Sequence, residues 1–71
     1  MSVAKVIELT STSAKSFEDA IQKGIARADK TLKNVEGAWI KEQKVVVKDG
    51  TITAYRVNML VTFVLGGDTS I

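Results

Sequence analysis

The order of signals along this chain predicts an α+β fold, strand–helix–strand–strand, in a single domain spanning residues 1–71. Three observations predict it. The chain opens on a β-branched segment, one apolar stripe recurs at helical spacing from Phe17 to Leu32, and an Asp-Gly pair sits between two long alternating arms.

The opening segment, Val3 to Thr10, suits a strand, and the hydroxyl cluster Thr10-Ser11-Thr12-Ser13 that follows reads as a turn. Ser16 then precedes Phe17-Glu18-Asp19. A Ser at this position can accept a backbone N–H bond as helix cap, and Asp19 complements the positive end of the helix dipole. Phe17, Ala20, Ile21, Gly24, Ile25, Ala28 and Leu32 trace one helical stripe, while Glu18, Gln22, Lys23, Asp29, Lys30 and Lys33 take the other side. Gly24 gives up about 1 kcal/mol of helix propensity relative to Ala, so the small residues Ala20, Gly24 and Ala28 predict close approach to a sheet. Asn34 and the Lys-rich last turn mark the helix end.

From Val35 to Leu65 the chain reads as a hairpin turning at Asp49-Gly50, because a type I′ turn needs two residues tolerant of positive φ. Each arm runs roughly 11 to 15 residues, longer than the usual strand. On the second arm Tyr55, Val57, Met59, Val61, Phe63 and Leu65 share the face predicted to meet the helix. Arg56, Asn58, Leu60, Thr62 and Val64 share the other.

Composition removes many functions. The chain has no His and no Cys, hence no imidazole base, thiol nucleophile, disulfide framework or thiolate metal site. The one close acidic pair, Glu18-Asp19, diverges on a helix. Ten basic residues against eight acidic ones give a net charge of +2, with the cations interleaved among anions, unlike the one-sided basic patch of a nucleic-acid binder. No apolar run approaches the roughly 20 residues needed to cross a bilayer, and Met1-Ser2-Val3-Ala4-Lys5 lacks the pattern of a signal peptide. A cytoplasmic protein with no nucleic-acid or membrane partner is expected.

Size points to self-association. A helix of about 18 residues is roughly 27 Å long, while a strand of 13 residues runs about 43 Å, so one helix cannot cover the sheet. A domain this small without disulfide or metal is marginal alone. Symmetric closure would cover both the surplus apolar surface and the sheet edges.

The residues also carry a family resemblance over nearly the whole chain. Val6-Ile7-Glu8-Leu9-Thr10-Ser11-Thr12-Ser13, Ala20-Ile21-Gln22-Lys23-Gly24-Ile25-Ala26-Arg27-Ala28 with Thr31-Leu32, and Tyr55-Arg56-Val57 followed by Val61-Thr62-Phe63-Val64-Leu65 resemble the dodecins. The resemblance implies a βαββ protomer whose three-stranded antiparallel sheet, third strand central, packs on one helix. It further implies that trimers assemble into a hollow homododecamer. In the best-known branch such shells bind flavins, riboflavin or FMN, in pairs, which implies flavin storage or sequestration without catalysis.

The resemblance also places the site. An aromatic near the start of the second strand stacks on the flavin in that branch, and a Gln follows the Tyr of the third; here those positions fall on Gly37 and Arg56. Trp39, two residues on, shares a face with Gly37 on a regular strand and sits about 6.6 Å away. Its indole is either an interface aromatic or a stacking surface. Arg56 is either an inter-subunit ion-pair partner or a ligand contact, and Lys44 lies where some relatives place a cation suited to a phosphate. The alternative to flavin is a shell that has lost that pocket and holds a cation such as calcium or another small anionic ligand.

Overall fold

The computed structural model describes residues 3–65 and contains four elements: β1 (Ala4–Ser13), α1 (Phe17–Leu32), β2 (Val35–Lys48) and β3 (Thr51–Val64). The sheet is antiparallel throughout, ordered β1-β3-β2. The predicted βαββ architecture with β3 central is the architecture observed.

α1 begins as its sequence dictates. The Ser16 hydroxyl accepts the Asp19 N–H at 3.0 Å from an extended backbone, while at the far end Lys33 and Asn34 take positive φ values of 60° and 53°. Ala20, Gly24 and Ala28 are the buried positions of the helix, and they sit on β3, whose Val57, Met59 and Val61 are fully buried. Each of those three side chains contributes roughly 1.5–3 kcal/mol of burial. Ile7, Leu9, Phe17, Ile21, Ile25, Leu32, Val35 and Ala38 pack around this centre. The small stripe has the predicted consequence at Gly24. A Cβ there would lie 2.9 Å from Met59 Cε and 3.0 Å from Ser11 Cβ.

The hairpin turn is also where expected, with Asp49 at φ 53° and Gly50 at φ 76°. Two expectations need correction. Thr10 to Ser13 do not turn; they continue β1, pairing with Asn58, Val57, Arg56 and Tyr55. Their hydroxyls find partners across the structure that a turn would not offer: Thr10 and Thr12 bond β3 side chains, and the buried Ser13 hydroxyl donates to Asp19 Oδ2 at 2.6 Å while accepting the Lys15 N–H. That bond from Ser13, reinforced by Lys23 at 3.1 Å, holds the Asp19 carboxyl below the usual carboxylate range. The second correction lies at the end of β3. Leu65 is 42% exposed and Val64 is buried: β3 ends at Val64, so strand alternation does not extend to Leu65, while backbone bonds from Val64 N–H to Asn34 O and from Leu65 N–H to Val3 O hold that end of the strand.

Candidate functional site

The sheet face opposite α1 is built in rows, one residue from each strand. From one end, Thr12, Arg56 and Lys44 form a row; then come Thr10, Asn58 and Glu42; then Glu8, Leu60 and Trp39; then Val6, Thr62 and Gly37. All four residues singled out from the sequence therefore share this face. Lys44 and Arg56 are direct cross-strand partners. Gly37 and Trp39 are neighbours further along, with Trp39 separated from the cation row by four residues of β3, about 13 Å at 3.3 Å per residue.

The two cations border a cleft of about 560 Å³, lined also by Glu8, Thr10, Glu42, Gln43 and Asn58. Arg56 is oriented by its Nε, which donates to Thr12 Oγ1 at 3.2 Å, and among the described residues its remaining guanidinium N–H groups meet no acceptor. Asn58 Nδ2 donates to Thr10 Oγ1 at 3.1 Å and to Leu9 O at 3.5 Å, the latter a long bond. Its Oδ1 is buried and, among the described residues, has no hydrogen-bond partner. Lys41 reaches across β3 to Glu8, Nζ to Oε2 at 3.3 Å, with both side chains about half exposed. Among the described residues, neither Lys44 nor Arg56 is in an ion pair. The cleft thus presents two cations in no ion pair among the described residues, beside the acids Glu8 and Glu42.

Trp39 is the most exposed large apolar side chain of the described residues, at 63%. Beside it Gly37 leaves open space, since a Cβ added there would meet no atom within 4 Å. An indole next to a bare stretch of backbone gives a flat apolar surface on which a planar ring can lie. These residues fit a flavin: a stacking surface for its ring system and, beyond the Glu42–Asn58–Thr10 row, cations for an anionic tail. They fit a cation less well, because among the described residues Glu8 and Glu42 are the only acids lining the cleft and Glu8 already has Lys41. Among the described residues, no group of three or more acidic side chains converges on a metal position.

Glu8, Thr10, Glu42 and Asn58 were not singled out from the sequence. Strand alternation places Asn58 with Arg56, which was the available signal. Glu8 and Thr10 join them only because β1 pairs with β3, a long-range choice with no local signature.

Comparison with known proteins agrees with this geometry. The dodecin family model matches residues 3–66. A dodecin from Thermus thermophilus is 36% identical over 61 residues, 86% of this chain and 88% of that protein. Among solved structures, a dodecin from Streptomyces davaonensis is similar with a TM-score of 0.87 at 32% identity, over 92% of this chain and 96% of that one. The calcium dodecin of Mycobacterium tuberculosis, described as a calcium-chelating antigen with a calcium-binding site, is similar with a TM-score of 0.79 at 31% identity, over 99% and 100% of the two chains. Fold, length and sequence agree, and the chain belongs to the dodecin family.

Proposed function

We propose that this protein is a non-catalytic flavin holder, acting in the cytoplasm as a homododecamer built from trimers, that stores flavin and shields its surroundings from flavin photochemistry. The observation that carries this reading is an exposed indole, Trp39, on the same sheet face as two unpaired cations, Lys44 and Arg56. Trp39 stacks on the ring, where electron transfer from the indole quenches the excited flavin. Gly37 supplies the open floor beside it. The roughly 13 Å between the indole row and the cation row favours a flavin with an extended anionic tail, so FMN binds in preference to riboflavin. Arg56 offers paired donors in the geometry a phosphate accepts, and Lys44 adds a point charge.

Titration of the purified protein with riboflavin and FMN, following flavin fluorescence, tests the reading. Saturable quenching that is stronger for FMN, lost in Trp39→Ala and reduced to the riboflavin level in Arg56→Gln, is expected. Quenching that survives Trp39→Ala would remove the indole from the stacking role.

A second reading has its own support: Gly37 and Arg56 replace both side chains that mark the flavin branch, and Lys44 and Arg56, direct cross-strand partners, supply donors suited to a small anion. On that reading the cleft holds a phosphate or carboxylate ligand, and riboflavin, which carries neither, keeps its fluorescence. Calcium, as in the M. tuberculosis relative, would need acids contributed by several copies around a symmetry axis.

A further inference from the structure

Among the described residues, one buried side-chain polar atom has no hydrogen-bond partner: Oδ1 of Asn58. The great majority of buried polar atoms are bonded, because a bare acceptor loses its bond to water and gains nothing in return. Turning the amide over would not mend this. Nδ2 donates to Thr10 Oγ1 at 3.1 Å and points to Leu9 O at 3.5 Å. Exchanging the two amide atoms would set Oδ1 against the Leu9 carbonyl and leave an N–H bare in its place. Arg56, two residues along β3, turns its Nε to Thr12 instead, and Lys41 is engaged by Glu8.

Position gives this orphan its meaning. Asn58 lines the cleft and is the central residue of the row Thr10, Asn58 and Glu42. That row lies between the indole row and the cation row, about 6.6 Å from each at 3.3 Å per residue. A ligand whose ring lies on Trp39 and whose anion meets Arg56 must pass its linker over it. The row offers that linker two acceptors, the Asn58 carbonyl and the Glu42 carboxylate, which is in no ion pair among the described residues. It also offers a donor, because the Thr10 oxygen accepts from Asn58 and leaves its own proton for another partner. Hydroxyl groups donate and accept, so a hydroxylated linker answers all three. An alkyl linker answers none, and a second anionic group in the linker would face Glu42.

We infer that Asn58 reads the linker of the ligand, an inference that rests on the flavin reading above. Its Oδ1 accepts a hydrogen bond from a linker hydroxyl, so the site selects a planar ring joined to a phosphate through a polyhydroxylated chain over the same ring and phosphate joined by a bare alkyl chain. The role falls to Asn58 because its Oδ1 is the buried polar atom that lacks a partner. Already out of contact with water, it need not be stripped of water by the incoming hydroxyl, and the bond adds more to binding than one made to a hydrated acceptor. The exposed, flexible side chains of Glu42 and Lys44, which line the cleft beside it, give way as the linker settles.

The test is a cycle between residue and ligand. FMN and a deoxy analogue, the same isoalloxazine carrying its phosphate on an alkyl chain of equal length without hydroxyls, are titrated into wild type and Asn58→Leu by flavin fluorescence. Circular dichroism confirms folding, which is expected to survive because Leu has a similar shape and removes the bare acceptor. Wild type binds FMN about tenfold more tightly than the analogue, and Asn58→Leu binds the two alike. Equal affinity of wild type for both ligands, or an undiminished preference for FMN in Asn58→Leu, would overturn this inference and leave the flavin reading standing. No saturable quenching by either ligand would overturn both. The wild-type comparison requires no variant, so it decides the matter even where Asn58→Leu misfolds.

Discussion

Replacing Gly24 with Ala opposes two effects whose sizes can be compared. In a helix interior Ala is favoured over Gly by about 1 kcal/mol, so an unconstrained site would be stabilised by that amount. The added Cβ, however, would sit 2.9 Å from Met59 Cε, 3.0 Å from Ser11 Cβ and 3.3 Å from Ser11 Oγ. Met59 Cε is the end of a flexible side chain and can yield, but Ser11 is fixed in β1 opposite Val57, so its Cβ is the neighbour that cannot easily give way. Overpacking of this kind costs roughly 1–3 kcal/mol. Set against the propensity gain, the net is a destabilisation of about 1 kcal/mol, or a fall of about 4–8 °C in Tm for a domain of this size. Ala26→Gly, on the exposed side of the same helix, calibrates the propensity effect alone. Thermal unfolding followed by circular dichroism, at matched protomer concentration because association shifts apparent stability, measures both. A Gly24→Ala protein more stable than wild type by as much as Ala26→Gly is less stable would mean that α1 does not lie against Ser11 and Met59.

Two further outcomes follow from local geometry. The Asp19 carboxyl is held below its usual range chiefly by the Ser13 hydroxyl and then by Lys23, so its stabilisation is fully present above the ordinary carboxylate value and is lost as pH falls through the lowered one, below about pH 4. Thermal unfolding between neutral and acid pH should therefore show a steeper acid loss for wild type than for Asp19→Asn; parallel curves would count against the bond. At the hairpin tip, Gly50 has φ 76°, and a Cβ there would meet no atom within 4 Å, so Gly50→Val costs about 1–2 kcal/mol by backbone strain alone, and Gly50→Asn less. Equal denaturation midpoints for the two would contradict the turn.

What the sequence made legible was local. The Ser16 cap, the stripe from Phe17 to Leu32 and the Asp49-Gly50 turn each depend on residues within a few positions of one another. Legibility failed where distant partners decide. Thr10 to Ser13 look like a turn in isolation, and become strand because Arg56, Asn58 and Asp19 bond their hydroxyls. Leu65 departs from the alternation because β3 ends at Val64, one residue short of it. In the site, alternation joined Gly37 to Trp39 and Arg56 to Asn58, but only strand order brought in Glu8 and Thr10.

Register explains the least legible feature of the site. Trp39 and Lys44 are five residues apart, which on a regular strand puts them on opposite faces. Counting from the Lys48–Thr51 pair at the turn, Lys44 would meet Tyr55 on the helix side. An extra residue on β3, Thr53, shifts it to Arg56, and an extra residue on β2, Lys41, then restores the original count so that Trp39 meets Leu60. Two compensating bulges thus bracket the segment from Glu42 to Val46 and bring indole and cations to one face. Deleting Lys41 removes the unpaired residue itself, so β2 closes with Ile40 still opposite Met59 and Glu42 still opposite Asn58. The expected outcome is an exposed indole with unchanged emission and retained flavin quenching. Stability should fall by no more than about 1 kcal/mol for the half-exposed Lys41–Glu8 pair, and Lys41→Ala, which keeps the bulge, measures that pair separately. A blue-shifted indole in the deletion variant would show that β2 had slid by one residue, carrying Trp39 to the helix side, and that Lys41 sets the face of the site.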